Sequence, residues 1–184
     1  MKTNLKMKKS NIALIGFMGV GKSAVGQELA GRLNKELAEV DSYIVKMAGK
    51  TIDQIFKDGE IAFRELEIAA VKEISIGNNK IIACGGGVVL NKINIDRLKL
   101  NSVIVWLTTT PGVILKRTRS DGGTRPLIER DTGITDIREL LSYRKPYYQR
   151  AADLQVDTSR ASIREVAEEI ILKLKDYAIN HTEK

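Results

Sequence analysis

The stretch NIALIGFMGVGKS, residues 11–23, decides the fold of this chain. Its first five residues form an apolar run that stops at a glycine, which is typical of a buried strand in a parallel sheet. Residues 16–23 then match G-x-x-x-x-G-K-[ST], and apolar residues follow at helical spacing at Val25, Leu29 and Leu33. A strand, a glycine-rich loop and a helix in this order are the context in which this motif forms a phosphate-binding P-loop.

The P-loop motif predicts a nucleoside triphosphate site. Its glycines let backbone N–H groups point inward around an anion, and the following helix adds its positive N-terminal end. Lys22 is expected to reach the β- and γ-phosphates, and the Ser23 hydroxyl is expected to ligate Mg²⁺. The predicted nucleotide contacts in the loop are Gly19, Val20, Gly21, Lys22, Ser23 and Ala24. No N-K-x-D guanine-reading motif is present, so a small-molecule kinase or a nucleotide kinase is favoured over a GTPase.

The rest of the chain alternates strand and helix patterns. Four further apolar runs, at residues 37–40, 80–84, 102–107 and 154–156, are predicted strands. Helix starts are indicated by Thr110 followed by a proline and by a capping box that begins at Ser162. After that box, a core-facing stripe is predicted at Ile163, Val166, Ala167, Ile170, Ile171 and Leu174.

This alternation predicts an α/β fold of the P-loop kinase type, a doubly wound five-stranded parallel sheet with helices on both faces. Ligands of such sheets bind at the carboxyl ends of the strands. We therefore expect phosphate and acceptor sites to lie together at one edge of the sheet.

Composition limits the class of protein. The 184 residues suit one domain, expected over residues 11–177, between a basic arm at 1–10, expected to be disordered, and a tail at 178–184. A single cysteine, Cys84, and a single histidine, His181, exclude a disulfide framework, a Cys/His zinc site and a serine–histidine triad within the fold. No apolar run approaches the roughly 18 residues of a membrane span, and no secretory signal is evident. A cytoplasmic protein without membrane contact is expected.

The formal net charge of +7 falls in two basic clusters. The first is the arm, with Lys2, Lys6, Lys8 and Lys9, and the second comprises Lys116, Arg117, Arg119, Arg125 and Arg130. Aromatic residues for base stacking are few and are not interleaved with these clusters. A nucleotide is therefore the expected polyanion and nucleic acid is not, although a non-catalytic ATP-binding or nucleic-acid-associated protein that uses the arm stays an alternative.

Two carboxylates follow the second predicted strand. Glu39 and Asp41 occupy alternate positions at its end and are expected to share one face. Phosphoryl transfer needs Mg²⁺ and a group that orients the attacking hydroxyl, which two carboxylates could provide. The alternative is a solvated strand end.

Three further features indicate an acceptor pocket. Arg64 lies on a predicted helix between Glu60 and Glu67, where it could bind an acceptor or only form surface ion pairs. The glycines at 85–87 follow a strand and suggest a backbone that approaches a ligand closely. Arg144 could grip a carboxylate through its planar guanidinium, or it could lie at a helix end that is broken by Pro146.

Together these motifs make the chain similar to the shikimate kinases over about residues 11–175. The segments that carry the resemblance are GFMGVGKS, the Asp41 segment, GExxFR, GGG, RPL and YRKPYY, in the order of the family and near its spacings. The resemblance implies ATP-dependent phosphorylation of the 3-hydroxyl of shikimate, in aromatic amino-acid biosynthesis. Another P-loop kinase, acting on gluconate or a nucleoside monophosphate, is the alternative.

The resemblance also implies roles for the acceptor residues. Asp41 would hold the reacting hydroxyl and is the candidate to accept its proton. Arg64 and Arg144 would grip the substrate carboxylate, and the backbone of Gly85, Gly86 and Gly87 would contact its hydroxyls. These residues would belong to a substrate-binding segment at about 41–76 and to the elements that follow it.

The remaining implied roles concern ATP and Mg²⁺. Arg125 would meet the transferring phosphate from a mobile lid at about 117–130. Arg117 would stack on the adenine, and a second adenine wall would lie near residues 157–160, with Arg160 as its candidate. Ser23 would bind Mg²⁺ directly and Glu39 through water, although the family usually has aspartate where this chain has Glu39. The lid is one residue longer than usual between Arg117 and Arg125. A monomer is expected.

Overall fold

The computed structural model describes residues 9–120 and 133–182. Its strands are β1 (Asn11–Ile15), β2 (Glu36–Glu39), β3 (Lys80–Ala83), β4 (Ser102–Thr108) and β5 (Leu154–Asp157). Its helices are α1 (Lys22–Leu33), α2 (Val40–Ala48), α3 (Ile52–Lys57), α4 (Glu60–Ile76), α5 (Lys92–Asn101), α6 (Pro111–Ser120), α7 (Ile134–Ala151) and α8 (Ile163–Thr182). A 3₁₀ turn, Val88–Leu90, precedes α5. None of the helices in these ranges combines the length and apolar character needed to span a membrane.

The five strands form one parallel sheet in the order β2-β3-β1-β4-β5. The central strand β1 pairs with β3 on one side, where Ile12 is opposite Ile81, and with β4 on the other, where Ile12 is opposite Val103. All five carboxyl ends therefore meet at one edge, and the P-loop begins at the centre of that edge. The predicted α/β class and parallel sheet are confirmed.

Two hydrophobic clusters lie on opposite faces of the sheet, because successive side chains of a strand point to opposite sides. Ile12 and Leu14 of β1 pack with residues of α1 and α8. Ala13 and Ile15 pack with residues of α2, α3, α4 and α5, and with the C-terminal half of α7. The prediction of helices on both faces is confirmed.

The predicted helix starts are present. The Thr110 hydroxyl accepts a hydrogen bond from Val113 N (3.4 Å) at the start of α6. Ser162 and Glu165 form the reciprocal capping box of α8, with bonds of 2.7 and 3.3 Å between backbone N–H groups and side-chain oxygens. Of the predicted α8 stripe, Ile163 departs from the expectation because it lies in the first turn, where it is 48% exposed and lines the cavity described below.

The second strand ends earlier than predicted, which changes how two carboxylates are placed. β2 stops at Glu39 and α2 begins at Val40, with no loop between them. Glu39 is the extended N-cap of α2 and Asp41 lies in its first turn, so they do not share a strand face. A carboxylate is favoured in a first helical turn by the positive end of the helix dipole, which explains the early start.

Four other features of the structure bear on the predicted boundaries. Pro146 lies inside α7, which continues to Ala151 because Pro146 is exposed and the helix remains packed on the core beyond it. α8 continues to Thr182 through most of the predicted tail. Ser10, at the end of the predicted arm, donates a hydrogen bond to the Asn78 side chain (2.9 Å). The first residues of the predicted lid, from Arg117 to Ser120, belong to α6, and the rest of the lid, Arg125 included, lies outside the described residues.

Candidate active site

The P-loop connects β1 to α1 and exposes the N-terminus of α1. Gly21 is the N-cap of α1, with a φ of 97° and no capping side chain, so no side chain occupies the place of an anion there. Gly16 is required for another reason, because a Cβ at this position would overlap the carbonyl oxygen of Leu107 in β4. The Lys22 ammonium donates hydrogen bonds of 2.9 Å to the carbonyls of Gly16 and Phe17, at the start of the loop. The loop thus presents backbone donors and one cation on the same side.

A cavity of about 620 Å³ extends from the P-loop across the carboxyl edge of the sheet. It brings together nearly all the predicted site residues that the structure describes. They are Gly19, Val20, Gly21, Lys22, Ser23, Ala24, Glu39, Asp41, Arg64, Gly85, Gly86, Gly87, Arg117 and Arg144. Triphosphate and acceptor groups can therefore meet in one space, as a transfer reaction requires.

The part of the cavity lined by Asp41, Arg64, Arg144 and the glycines at 85–87 is called its acceptor end, because these residues are predicted to bind the acceptor. Two glutamates of its own helix hold Arg64 there. It donates to Glu60 (2.8 Å) and to Glu67 (3.0 Å). The predicted ion pairs are thus present, but they do not both lie at the surface, because Glu67 has no exposed surface. Burial raises the pKa of Glu67, and the charge of Asp41 raises it further, while the Arg64 guanidinium opposes both. Arg64 is therefore oriented by a buried carboxylate and faces the cavity.

The three glycines after β3 leave room for the side chains of the acceptor end. A Cβ on Gly85 would lie 3.1 Å from Asp41 Oδ1 and 3.1 Å from Glu67 Oε1, and one on Gly87 would overlap the Arg64 guanidinium. A Cβ on Gly86 would approach the backbone N of Met18 in the P-loop at 3.4 Å. The triplet thus allows two carboxylates, an arginine and the P-loop to converge on one short piece of backbone.

Arg144 is a buried cation without an ion-pair partner in the described part of the chain. Only 4% of its surface is exposed, and its guanidinium carbon lies 5.4 Å from the centre of the Phe17 ring. Its Nη1 makes a long contact of 3.4 Å to Gly86 O, and its buried Nε has no hydrogen-bond partner among the described residues. A buried guanidinium is stable only when its charge is compensated, which favours a bound anion at this point of the cavity.

Arg117 of α6 contacts both the P-loop and the segment that follows β5. Its guanidinium donates to Gly19 O (3.2 Å) in the P-loop and to Thr158 O (2.9 Å) after β5. The Thr158 hydroxyl in turn donates to Val20 O (2.9 Å). Arg160, the other predicted adenine neighbour, is exposed and is not among the residues that line the cavity. Thr158, rather than Arg160, therefore lines the cavity beside Arg117.

The sequence does not predict that Glu67 is buried or that Phe17 lies against Arg144, because nothing local shows that the glycine triplet will cover Glu67. Thr158 falls within the segment 157–160, near which the resemblance to the shikimate kinases implies a second adenine wall. Cys84 also lines the cavity, but burial raises the pKa of its thiol to about 12, so it remains a neutral thiol.

No cluster of three or more potential metal ligands of the Asp, Glu, His or Cys type occurs among the described residues. Mg²⁺ is usually held by one or two protein oxygens together with phosphates and water, so this site does not need such a cluster. The Ser23 hydroxyl and the Glu39 carboxylate both line the cavity and suit that pattern.

Comparison with known proteins agrees with this geometry. The sequence model of the shikimate kinase family matches residues 18–175. The chain is 47% identical to the shikimate kinase of Caldanaerobacter subterraneus subsp. tengcongensis, over 90% of this chain and 98% of that protein. It is 44% identical to that of Pelotomaculum thermopropionicum, over 91% and 96% of the respective lengths. The solved structure of the Acinetobacter baumannii shikimate kinase in complex with shikimate superposes with a TM-score of 0.87 at 31% identity, and 97% of each chain is covered. This chain therefore belongs to the shikimate kinase family.

Proposed function

We propose that this protein transfers the γ-phosphate of ATP to the 3-hydroxyl of shikimate and releases shikimate 3-phosphate and ADP. The observation that carries the proposal is the pair of arginines beside the P-loop. Arg64 and Arg144 line the same cavity as Lys22, and Arg144 is buried with no ion-pair partner in the described chain. Two guanidinium groups suit a carboxylate, and the glycine backbone and Asp41 between them suit a ring with several hydroxyls.

The residues divide the reaction between positioning and charge stabilisation. Asp41 holds the attacking hydroxyl and accepts its proton as the oxygen–phosphorus bond forms. The loop N–H groups and Lys22 hold the β- and γ-phosphates, where negative charge develops on the leaving ADP oxygen. Arg125, which lies outside the described residues, is proposed to meet the transferring phosphate.

Negative charge on ATP would be partly neutralised by Mg²⁺ when the ion is bound. Ser23 is proposed as its protein ligand and Glu39 as a partner of its bound water. Arg117 is proposed to lie against the adenine, which requires its guanidinium to leave or extend its present bonds to Gly19 and Thr158. A contact of Arg160 with ATP, implied by the resemblance, would need its exposed side chain to turn inward.

We further propose that the protein acts in aromatic amino-acid biosynthesis, as a cytoplasmic monomer that does not bind nucleic acid. Sedimentation of the pure protein tests the monomer, and binding of labelled DNA and RNA at low salt tests the last statement.

The decisive experiment is an assay of ADP release with shikimate, gluconate and nucleoside monophosphates as separate acceptors. Shikimate is expected to be the preferred acceptor, with its product identified by phosphorus NMR as the 3-phosphate. Faster transfer to gluconate or to a nucleotide would refute the acceptor assignment, and ATP binding without transfer to any of them would favour a non-catalytic protein.

A further inference from the structure

Gly86 O is a partly buried acceptor that two residues of α7 approach. Tyr148 Oη donates to it at 2.6 Å, and Arg144 Nη1 lies at 3.4 Å. Arg144 and Tyr148 are four residues apart on the helix and therefore share one face. The short bond belongs to the neutral phenol and the long one to the cation, although a charged donor normally makes the shorter bond. The tyrosine thus satisfies this carbonyl and leaves the arginine only loosely attached to it.

The Tyr148 ring is fixed in place from the sheet side. Tyr148 is 1% exposed, and its ring stacks on Trp106 of β4 with centroids 5.6 Å apart and an interplanar angle of 13°. Burial raises the pKa of its hydroxyl well above the ordinary value, so the group remains a proton donor at every physiological pH. Tyr148 does not itself line the cavity.

We propose that Tyr148 is a positioning residue for the acceptor site, which keeps the Arg144 guanidinium available to the substrate carboxylate by satisfying Gly86 O in its place. Without the phenol, Arg144 Nη1 at 3.4 Å would be the donor left to this partly buried carbonyl among the contacts of the described residues. A carbonyl that loses its hydrogen bond in a partly buried place gains from another donor, so the guanidinium would be drawn towards Gly86 and away from the anion. The same bond also fixes the orientation of the Gly86 peptide inside the glycine triplet. This inference rests on the proposed function, because it assumes a carboxylate-bearing acceptor.

The test compares Tyr148→Phe with Tyr147→Phe in the full-length protein. Tyr148→Phe keeps the ring on Trp106 and removes only the hydroxyl, whereas Tyr147→Phe removes a hydroxyl from the same helix away from Gly86. Loss of a hydrogen bond that positions a charged group is expected to raise the KM for shikimate about tenfold. The KM for ATP and kcat are expected to stay within about twofold of wild type, and Tyr147→Phe is expected to match wild type.

A double-mutant cycle shows whether the effect passes through Arg144. In an Arg144→Ala background, Tyr148→Phe is expected to change kcat/KM for shikimate by less than about twofold, because the group that it positions is gone. An equal loss in both backgrounds, or an unchanged shikimate KM in Tyr148→Phe, would overturn the inference while leaving the proposed function intact. If wild type itself does not phosphorylate shikimate, the proposed function fails first.

Should Tyr148→Phe not fold, Trp106→Phe provides a second test, since it keeps the hydroxyl and loosens the ring that carries it. Trp106→Phe is expected to raise the KM for shikimate by a smaller factor than Tyr148→Phe does. A folded Trp106→Phe variant with wild-type KM values for shikimate and ATP would then contradict the proposal.

Discussion

Asp41 and Glu67 direct carboxylate oxygens at the same glycine. Asp41 Oδ1 and Glu67 Oε1 each lie 3.1 Å from the position that a Cβ on Gly85 would take. Asp41 comes from the first turn of α2 and Glu67 from α4, so two helices bring like charges to the end of β3. Burial and the neighbouring Asp41 both raise the pKa of Glu67, and the charges of Arg64 and, to a smaller extent, Arg144 oppose this effect.

The first prediction concerns how stability depends on pH. Because the folded-state pKa of Glu67 is raised above the ordinary 4.5, its stabilising contribution is complete below pH 4.5 and is lost as the pH rises through the higher folded value. Glu67→Gln is neutral at every pH and should remove this component, so the difference in unfolding free energy between variant and wild type should change over that window. Urea denaturation from pH 4 to pH 8 measures the difference.

Glu60→Gln is the matched control, because Glu60 pairs with the same arginine but is exposed. Its difference from wild type is expected to change much less with pH over the same window. A Glu67→Gln difference that is flat, or that tracks the Glu60→Gln difference, would contradict a raised pKa at Glu67.

The second prediction separates the two carboxylates at the start of α2. Asp41→Asn keeps size and removes the charge that is proposed to orient and deprotonate the acceptor hydroxyl, so kcat should fall roughly 10²–10⁴-fold while ATP still binds. Glu39→Gln should lose less activity, and raised Mg²⁺ should restore part of it, because Ser23 and the phosphates are proposed to hold the ion in the absence of the Glu39 carboxylate. Glu39→Asp should be tolerated. Steady-state kinetics of the three variants across a Mg²⁺ titration test these roles. Equal losses of activity in Asp41→Asn and Glu39→Gln that do not respond to Mg²⁺ would show that the roles are wrong.

The third prediction tests the room that the glycine triplet leaves for Arg64. Gly87 has an ordinary φ of −98°, so Gly87→Ala strains no backbone, but its Cβ would overlap the guanidinium and displace it. The KM for shikimate should rise about tenfold or more, as expected when a charged hydrogen-bonding group is moved. Gly112→Ala on α6 is the control, since nothing lies within 4 Å of its Cβ and alanine favours the helix. Unchanged shikimate kinetics in Gly87→Ala would place Arg64 outside the acceptor site.

The fourth prediction concerns Lys22. Lys22→Ala removes a cation that donates to the carbonyls of Gly16 and Phe17 and is proposed to bind phosphate. Its side chain is not part of either hydrophobic cluster, so circular dichroism should show an intact fold, while kcat should fall by at least about 10²-fold. Lys72→Ala, at an exposed position of α4, serves as the surface-lysine control. Near-normal turnover in Lys22→Ala would contradict the assignment of the P-loop.

Local patterns predicted the elements well where the physical cause is itself local. The apolar run before Gly16 forms β1 with the predicted bounds, since a buried strand needs no distant information to be apolar on both faces. The capping box at Ser162 formed because its two hydrogen bonds lie within one turn. The junction at Glu39 was less predictable, because a strand that passes directly into a helix leaves no turn residue to mark the boundary.

By itself the sequence determined the α/β class and the P-loop, which follow from backbone geometry and from periodicities that a short segment expresses alone. The roles expected for the acceptor residues came from the resemblance to the shikimate kinases. Only the tertiary structure decided that Glu67 is buried against Gly85, that Arg144 lies over Phe17 and that Tyr148 satisfies Gly86 O. These contacts join residues far apart in the chain, and their positions depend on how α4 and α7 pack against the end of β3, a consequence of the summed packing of the core rather than of any local pattern.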